Sequence, residues 1–93
     1  MTQKKLHAFF SGHVQGIGFR ATAYRLAELN PITGFVRNLP DGRVELLAEG
    51  EEEVLSDFLQ KVRKSFLNQY IQGVELNWYE SHHEYNDFSI SYV

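Results

Sequence analysis

Three glycines fall in the stretch Gly12-His13-Val14-Gln15-Gly16-Ile17-Gly18, and Phe19-Arg20 follow directly. Glycine at this density lets a backbone turn tightly and approach a ligand closely. Successive N–H groups can then converge on one anion. If a helix begins just beyond, its first N–H groups and its dipole add positive charge at the same point. Arg20 stands at that junction, and its planar fork matches two oxygens of a tetrahedral anion. The chemistry suggested is phosphate binding. A Walker loop is excluded, because no lysine lies between Lys5 and Lys61. Gly16, Gly18 and Ala21 satisfy a dinucleotide pattern, but the chain is too short for a doubly wound sheet. A plain strand-to-helix turn is the alternative that the loop alone leaves open.

The second polar feature is Asn38, within Gly34-Phe35-Val36-Arg37-Asn38-Leu39-Pro40-Asp41-Gly42. A carboxamide can hold a water through its oxygen and a substrate oxygen through its nitrogen. It can also simply cap a hairpin. His82, His83 and Glu84 are adjacent, but neighbouring side chains of an extended segment point apart and do not readily share one metal ion. The chain has no cysteine, which removes disulfides and thiolate metal sites. No metal and no cofactor is expected.

The elements that must hold these groups follow from periodicity. Residues 5–12 read as a strand, with Leu6, Ala8 and Phe10 on one face and His7, Phe9 and Ser11 on the other. The glycine loop follows. Residues 19–30 read as a helix, with Phe19, Ala23, Leu26 and Ala27 inward and Asn30-Pro31 as the stop. Residues 33–39 and 43–49 form a hairpin about Pro40-Asp41-Gly42. In its second strand Val44, Leu46 and Ala48 alternate with Glu45, Leu47 and Glu49. Residues 50–66 form a second helix with Leu55, Phe58, Leu59, Val62 and Phe66 as its apolar stripe. Its acids come first and its bases last, the order a helix dipole favours. Residues 72–81 make a fourth strand and 88–92 a short final one, and Trp78, Tyr79 and Tyr92 are expected as strand and core residues. The economical arrangement is α+β: a ferredoxin-like split βαβ sandwich, an antiparallel sheet with two helices on one face and a short extra C-terminal strand. In that fold the ends of the first two strands share one edge of the sheet, which brings Asn38 near the glycine loop and Arg20.

A chain of 93 residues, 43 % of them apolar, suits one domain spanning 1–93 with its own core. It is too apolar to be disordered. No apolar run reaches the roughly 20 residues of a membrane helix, and the start is too short and too alternating for a secretory signal. A cytoplasmic, membrane-free monomer is expected. The net charge of −3 argues against nucleic acid, and no run combines basic, glycine and alternating aromatic residues as an RNA platform would. Charge is uneven: residues 1–50 carry six Lys or Arg against four acids, and 51–93 carry three against eight. An anion therefore finds its natural site in the N-terminal part.

Residues 12–20 closely resemble the acylphosphatase signature around the phosphate-binding arginine. Residues 34–45, Gly34 through Arg43-Val44-Glu45, resemble that family's second signature around its catalytic asparagine. Phe88-Ser89-Ile90-Ser91-Tyr92 resembles its terminal strand, so the likeness spans nearly the whole chain. The resemblance implies hydrolysis of a small acyl phosphate to a carboxylate and phosphate without a metal. By position it implies Arg20 as the phosphate-binding arginine, the amides of Gln15, Gly16, Ile17, Gly18, Phe19 and Arg20 as the phosphate cradle, and Asn38 as the residue that places the attacking water. Inorganic phosphate or other anions would bind the same cradle. His13 stands where arginine is frequent in the family, Phe35 where tryptophan is common, and Ser91 where an arginine often precedes the last tyrosine. Val93 extends past that tyrosine, and Ser91 and Val93 together put a C-terminal salt bridge in doubt. The signatures are also similar to the N-terminal domain of hydrogenase-maturation carbamoyltransferases, within a much larger chain; the short chain here leads us to expect the stand-alone enzyme. An interaction domain that kept the fold and lost the chemistry is the other alternative, and the presence of both Arg20 and Asn38 argues against it.

Overall fold

Leu6, Ala8 and Phe10 alternate along the first strand because only one face of it meets the helices. The computed structural model describes residues 2–92; Met1 and Val93 lie outside them. Strand β1 (Gln3–Gly12) leads through the glycine loop to α1 (Phe19–Glu28). The hairpin β2 (Thr33–Asn38) and β3 (Val44–Glu51) follows, then α2 (Glu52–Lys64), a 3₁₀ turn (Phe66–Tyr70), β4 (Ile71–Glu80) and β5 (Phe88–Ser91). The sheet order is β4-β1-β3-β2-β5. The four longer strands are antiparallel, the expected split βαβ arrangement with two helices on the sheet. The added strand makes the sheet mixed, since β5 runs parallel to β2. Residues 81–87 carry the chain from the β4 edge to the opposite edge, and it re-enters there in the direction of β2.

Leu6, Ala8, Phe10, Val44, Leu46, Ala48 and Val36 turn to the helices. They close a core with Phe19, Ala23, Leu55, Phe58 and Val62. Each fully buried Val, Leu or Phe among them contributes about 1.5–3 kcal/mol. Strand β3 is buried from Val44 through Gly50 on both faces, not only the expected one. It lies mid-sheet, and its far face is covered by charge pairs and by the 81–87 segment. Glu45 is held between His7 (Nε2 to Oε2, 2.6 Å) and the Arg37 guanidinium. Glu49 accepts from Ser81 Oγ at 2.8 Å and from the backbone N–H groups of His82 at 3.1 Å and Glu84 at 3.0 Å.

Two expectations are corrected. The second helix stops at Lys64, because Ser65 is extended; its hydroxyl donates to Val62 O and accepts from Leu67 N. Leu67 then enters the core and Phe66, expected in the apolar stripe, is exposed. Trp78, Tyr79 and Tyr92 are not core residues: they are 40 %, 49 % and 79 % exposed. Strand β4 is an edge strand that the helices barely cover, and Tyr92 follows the last strand residue. Among the described residues no helix is long and apolar enough to cross a membrane.

Candidate active site

Phe10 of β1 and Asn38 of β2 both pair with Val44 of β3, from its two sides. The strand end that carries Asn38 is therefore level with the end from which the glycine loop departs. The loop is pinned at its flanks. His13 N–H donates to Tyr70 O at 3.0 Å, Val14 is fully buried, and the Phe19 ring packs on Phe10 with centroids 4.9 Å apart. Between these anchors Gly16 and Gly18 are exposed with φ of 79° and 84°, a left-handed conformation that a side chain resists. Gly18 caps α1 and, being a glycine, offers no side chain to the first-turn N–H groups. The first intrahelical bond is Thr22 N to Gly18 O at 3.0 Å, so the N–H groups of Phe19, Arg20 and Ala21 have no partner within the helix.

These residues line a cavity of about 140 Å³. Gly16, Gly18, Phe19 and Arg20 line it from the loop and the start of α1, Asn38 from the end of β2, and Ile90 and Tyr92 from β5 and the residue beyond it. The Arg20 guanidinium lies 5.1 Å from the centre of the Tyr92 ring, a cation–π contact that restrains its long side chain. The structure thus brings Arg20 and Asn38 to one pocket with Gly16, Gly18 and Phe19. Gln15 and Ile17 do not line it: Ile17 packs against the core, and Gln15 turns its amide to the hairpin mouth. The sequence reading missed Ile90 and Tyr92 as wall residues, and missed what the Gln15 side chain does.

Among the described residues Arg20 makes no salt bridge, whereas Asp41 and Glu45 of the adjacent hairpin are paired. Asp41 bonds Arg43 through its backbone N–H and guanidinium, which hold its carboxyl below the usual range. Burial pushes the Glu45 carboxyl up, but His7 and Arg37 outweigh it and leave its pKa lowered. Two roomier hollows, of about 300 and 310 Å³, lie elsewhere. The first is walled by Glu51, Glu52 and Glu53, whose charges repel a phosphate. The triplet His82-His83-Glu84 lends two of its backbone N–H groups to Glu49, and no group of three metal-ligating side chains occurs among the described residues.

A glycine-rich loop at a strand-to-helix junction, an arginine in the first turn of the helix and a carboxamide from the neighbouring hairpin line one cavity of a ferredoxin-like fold. The sequence model of the Acylphosphatase family matches residues 6–90. An acylphosphatase of Caldanaerobacter subterraneus subsp. tengcongensis is 38 % identical over 95 % of this chain and 98 % of its own. One of Bacillus velezensis is 44 % identical, covering 92 % of this chain and 96 % of its own. The crystal structure of acylphosphatase from Bacillus subtilis superposes with a TM-score of 0.85 at 32 % identity, covering 96 % of this chain and 99 % of that one. The chain belongs to the acylphosphatase family and is a hydrolase.

Proposed function

We propose that this protein hydrolyses the carboxyl–phosphate bond of small acyl phosphates, with Arg20 and the loop amides holding the phosphoryl group and Asn38 placing the attacking water. The observation that carries this is the meeting of Arg20, Gly16, Gly18 and Asn38 around one small cavity. Phosphoryl transfer runs through a loose transition state with charge spread over three oxygens, so positioning and electrostatics do most of the work. The Arg20 fork and the converging N–H groups meet that charge from one side. Asn38, opposite, orients a water in line with the departing acyl oxygen. The water oxygen bonds phosphorus while the bond from phosphorus to the acyl oxygen breaks. The bonding pair leaves as a carboxylate, and the water's proton passes to a phosphoryl oxygen. A carboxylate is already stable as an anion at neutral pH, so no general acid is required. Inorganic phosphate, the product, competes for the same cradle.

The test is hydrolysis of benzoyl phosphate in the presence of a chelator, comparing wild type with Arg20→Ala and Asn38→Ala. Arg20→Ala should impair both KM and kcat. Asn38→Ala should lower chiefly kcat, by about 10²–10³ for one well-aimed group. Wild-type turnover in either variant, or activity abolished by the chelator, overturns the scheme.

A further inference from the structure

The Gln15 side chain does not face the cavity. Its Nε2 donates to two backbone carbonyls of the hairpin, Leu39 O at 2.7 Å and Arg43 O at 2.9 Å. These residues face each other across the hairpin mouth, where Leu39 N also donates to Arg43 O at 2.8 Å. Leu39 is the residue after Asn38, and Asn38 pairs with Val44, the residue after Arg43. One carboxamide thus spans both arms of the hairpin at the level of Asn38. Its own backbone is the start of the cradle, one residue before Gly16. Among the described residues it is the side chain that joins the two halves of the site by hydrogen bonds.

We propose that Gln15 is a positioning residue: its side chain sets the distance and angle of Asn38 relative to the phosphate cradle. This rests on the reading of Asn38 given above. Among the described residues no other side-chain hydrogen bond links the loop to the hairpin. A carbonyl pair accepting from one NH₂ group fixes their spacing. Glutamine suits the task because both contacts need a donor, which a carboxylate at that position lacks. Displacing a reacting group by about 1 Å can lower the rate about a hundredfold. The effect belongs to kcat, because Arg20 and the cradle amides still hold phosphate when the tie is cut.

The experiment measures kcat and KM for benzoyl phosphate, and Ki for inorganic phosphate, in wild type, Gln15→Ala, Asn38→Ala and the double variant. Gln15→Ala should lower kcat by about tenfold to a hundredfold with Ki for phosphate changed less than about threefold. In the Asn38→Ala background the Gln15 change should have no further effect, because the group it positions is gone. Gln15→Met keeps length and apolar bulk without the donor, and serves if the alanine variant folds poorly. Far-ultraviolet circular dichroism and Tm check the fold of each. Wild-type kcat in the Gln15 variants overturns the proposal. So does an effect that multiplies with that of Asn38→Ala, a parallel loss of phosphate binding, or failure of both Gln15 variants to fold. If Asn38→Ala itself retains wild-type turnover, the reading of Asn38 fails, and this proposal with it; an impaired Asn38→Ala beside a normal Gln15→Ala sinks the tie alone.

Discussion

Glu49→Gln isolates what a single buried carboxylate contributes to the C-terminal third of the molecule. Glu49 is 3 % exposed and receives three hydrogen bonds from residues 81–84. Burial works to raise its pKa. The Ser81 hydroxyl and the backbone N–H groups of Glu84 and His82 outweigh that, and its pKa lies below the ordinary value. Glutamine keeps the shape but removes the charge, and it can turn an NH₂ toward donors. A hydrogen bond to a neutral acceptor is weaker than one to a charged acceptor by about 1 kcal/mol. Over three contacts the loss is about 2–3 kcal/mol, since the partly open segment can recover some bonding from water. For a chain of this size that lowers Tm by roughly 10–20 °C. Urea unfolding at neutral and acid pH provides the assay. A depressed folded pKa means the carboxylate's contribution is complete above the unfolded value near about 4.3 and is lost as pH falls through the folded value. Wild type and variant should therefore differ fully at pH 7 and converge in acid, where wild-type Glu49 is itself neutral. A gap below about 0.5 kcal/mol at pH 7, within the range of ordinary surface substitutions, would refute the reasoning. So would a gap that survives unchanged into acid.

Three further outcomes are expected. Gly18→Ala places a side chain at φ 84°, and denaturant unfolding should show a loss of about 1–2 kcal/mol together with a raised Ki for phosphate as the amides turn away. Arg20→Lys retains the charge but not the planar fork, and kcat/KM for benzoyl phosphate should fall about 10²–10³-fold; wild-type kinetics would show that charge alone suffices. Tyr92→Leu removes the aromatic face over Arg20, a contact of about 0.5–1 kcal/mol at an exposed site, so KM should rise about twofold to fivefold while Tyr92→Phe stays near wild type.

The alternating strands, the helix periods and the Pro40-Asp41-Gly42 turn were legible because each is a local pattern. The meeting of Arg20 with Asn38 was legible one step later, since the split βαβ topology brings the ends of β1 and β2 to the same side. What escaped depended on neighbours distant in sequence. Trp78 and Tyr79 read as core residues because their strand has the right composition. Only the sheet order shows that β4 is an edge. The end of α2 at Lys64 is set by the Ser65 hydroxyl bonding Val62 and Leu67, a competition that hydrophobic periodicity does not register. The tie from Gln15 to Leu39 and Arg43 spans 24 and 28 residues and has no sequence pattern. The cradle glycines, by contrast, were readable because positive φ at a strand-to-helix junction restricts residue type directly.

The sheet order β4-β1-β3-β2-β5 also governs when the pocket can exist during synthesis. The β2–β3 hairpin can close as soon as it emerges from the ribosome and β1 can then pair with β3, but the outer side of β1 waits for β4, and the rim supplied by Ile90 and Tyr92 waits longer still. A nascent chain whose residues beyond 87 remain in the exit tunnel has its arginine and glycine loop outside but an unfinished wall around them. Pairings between distant segments form late and fold slowly. Catalytic competence should thus arrive abruptly once residues 88–92 have emerged, and a chain stalled before then should carry an open sheet margin beside β2 that invites pairing with other strands.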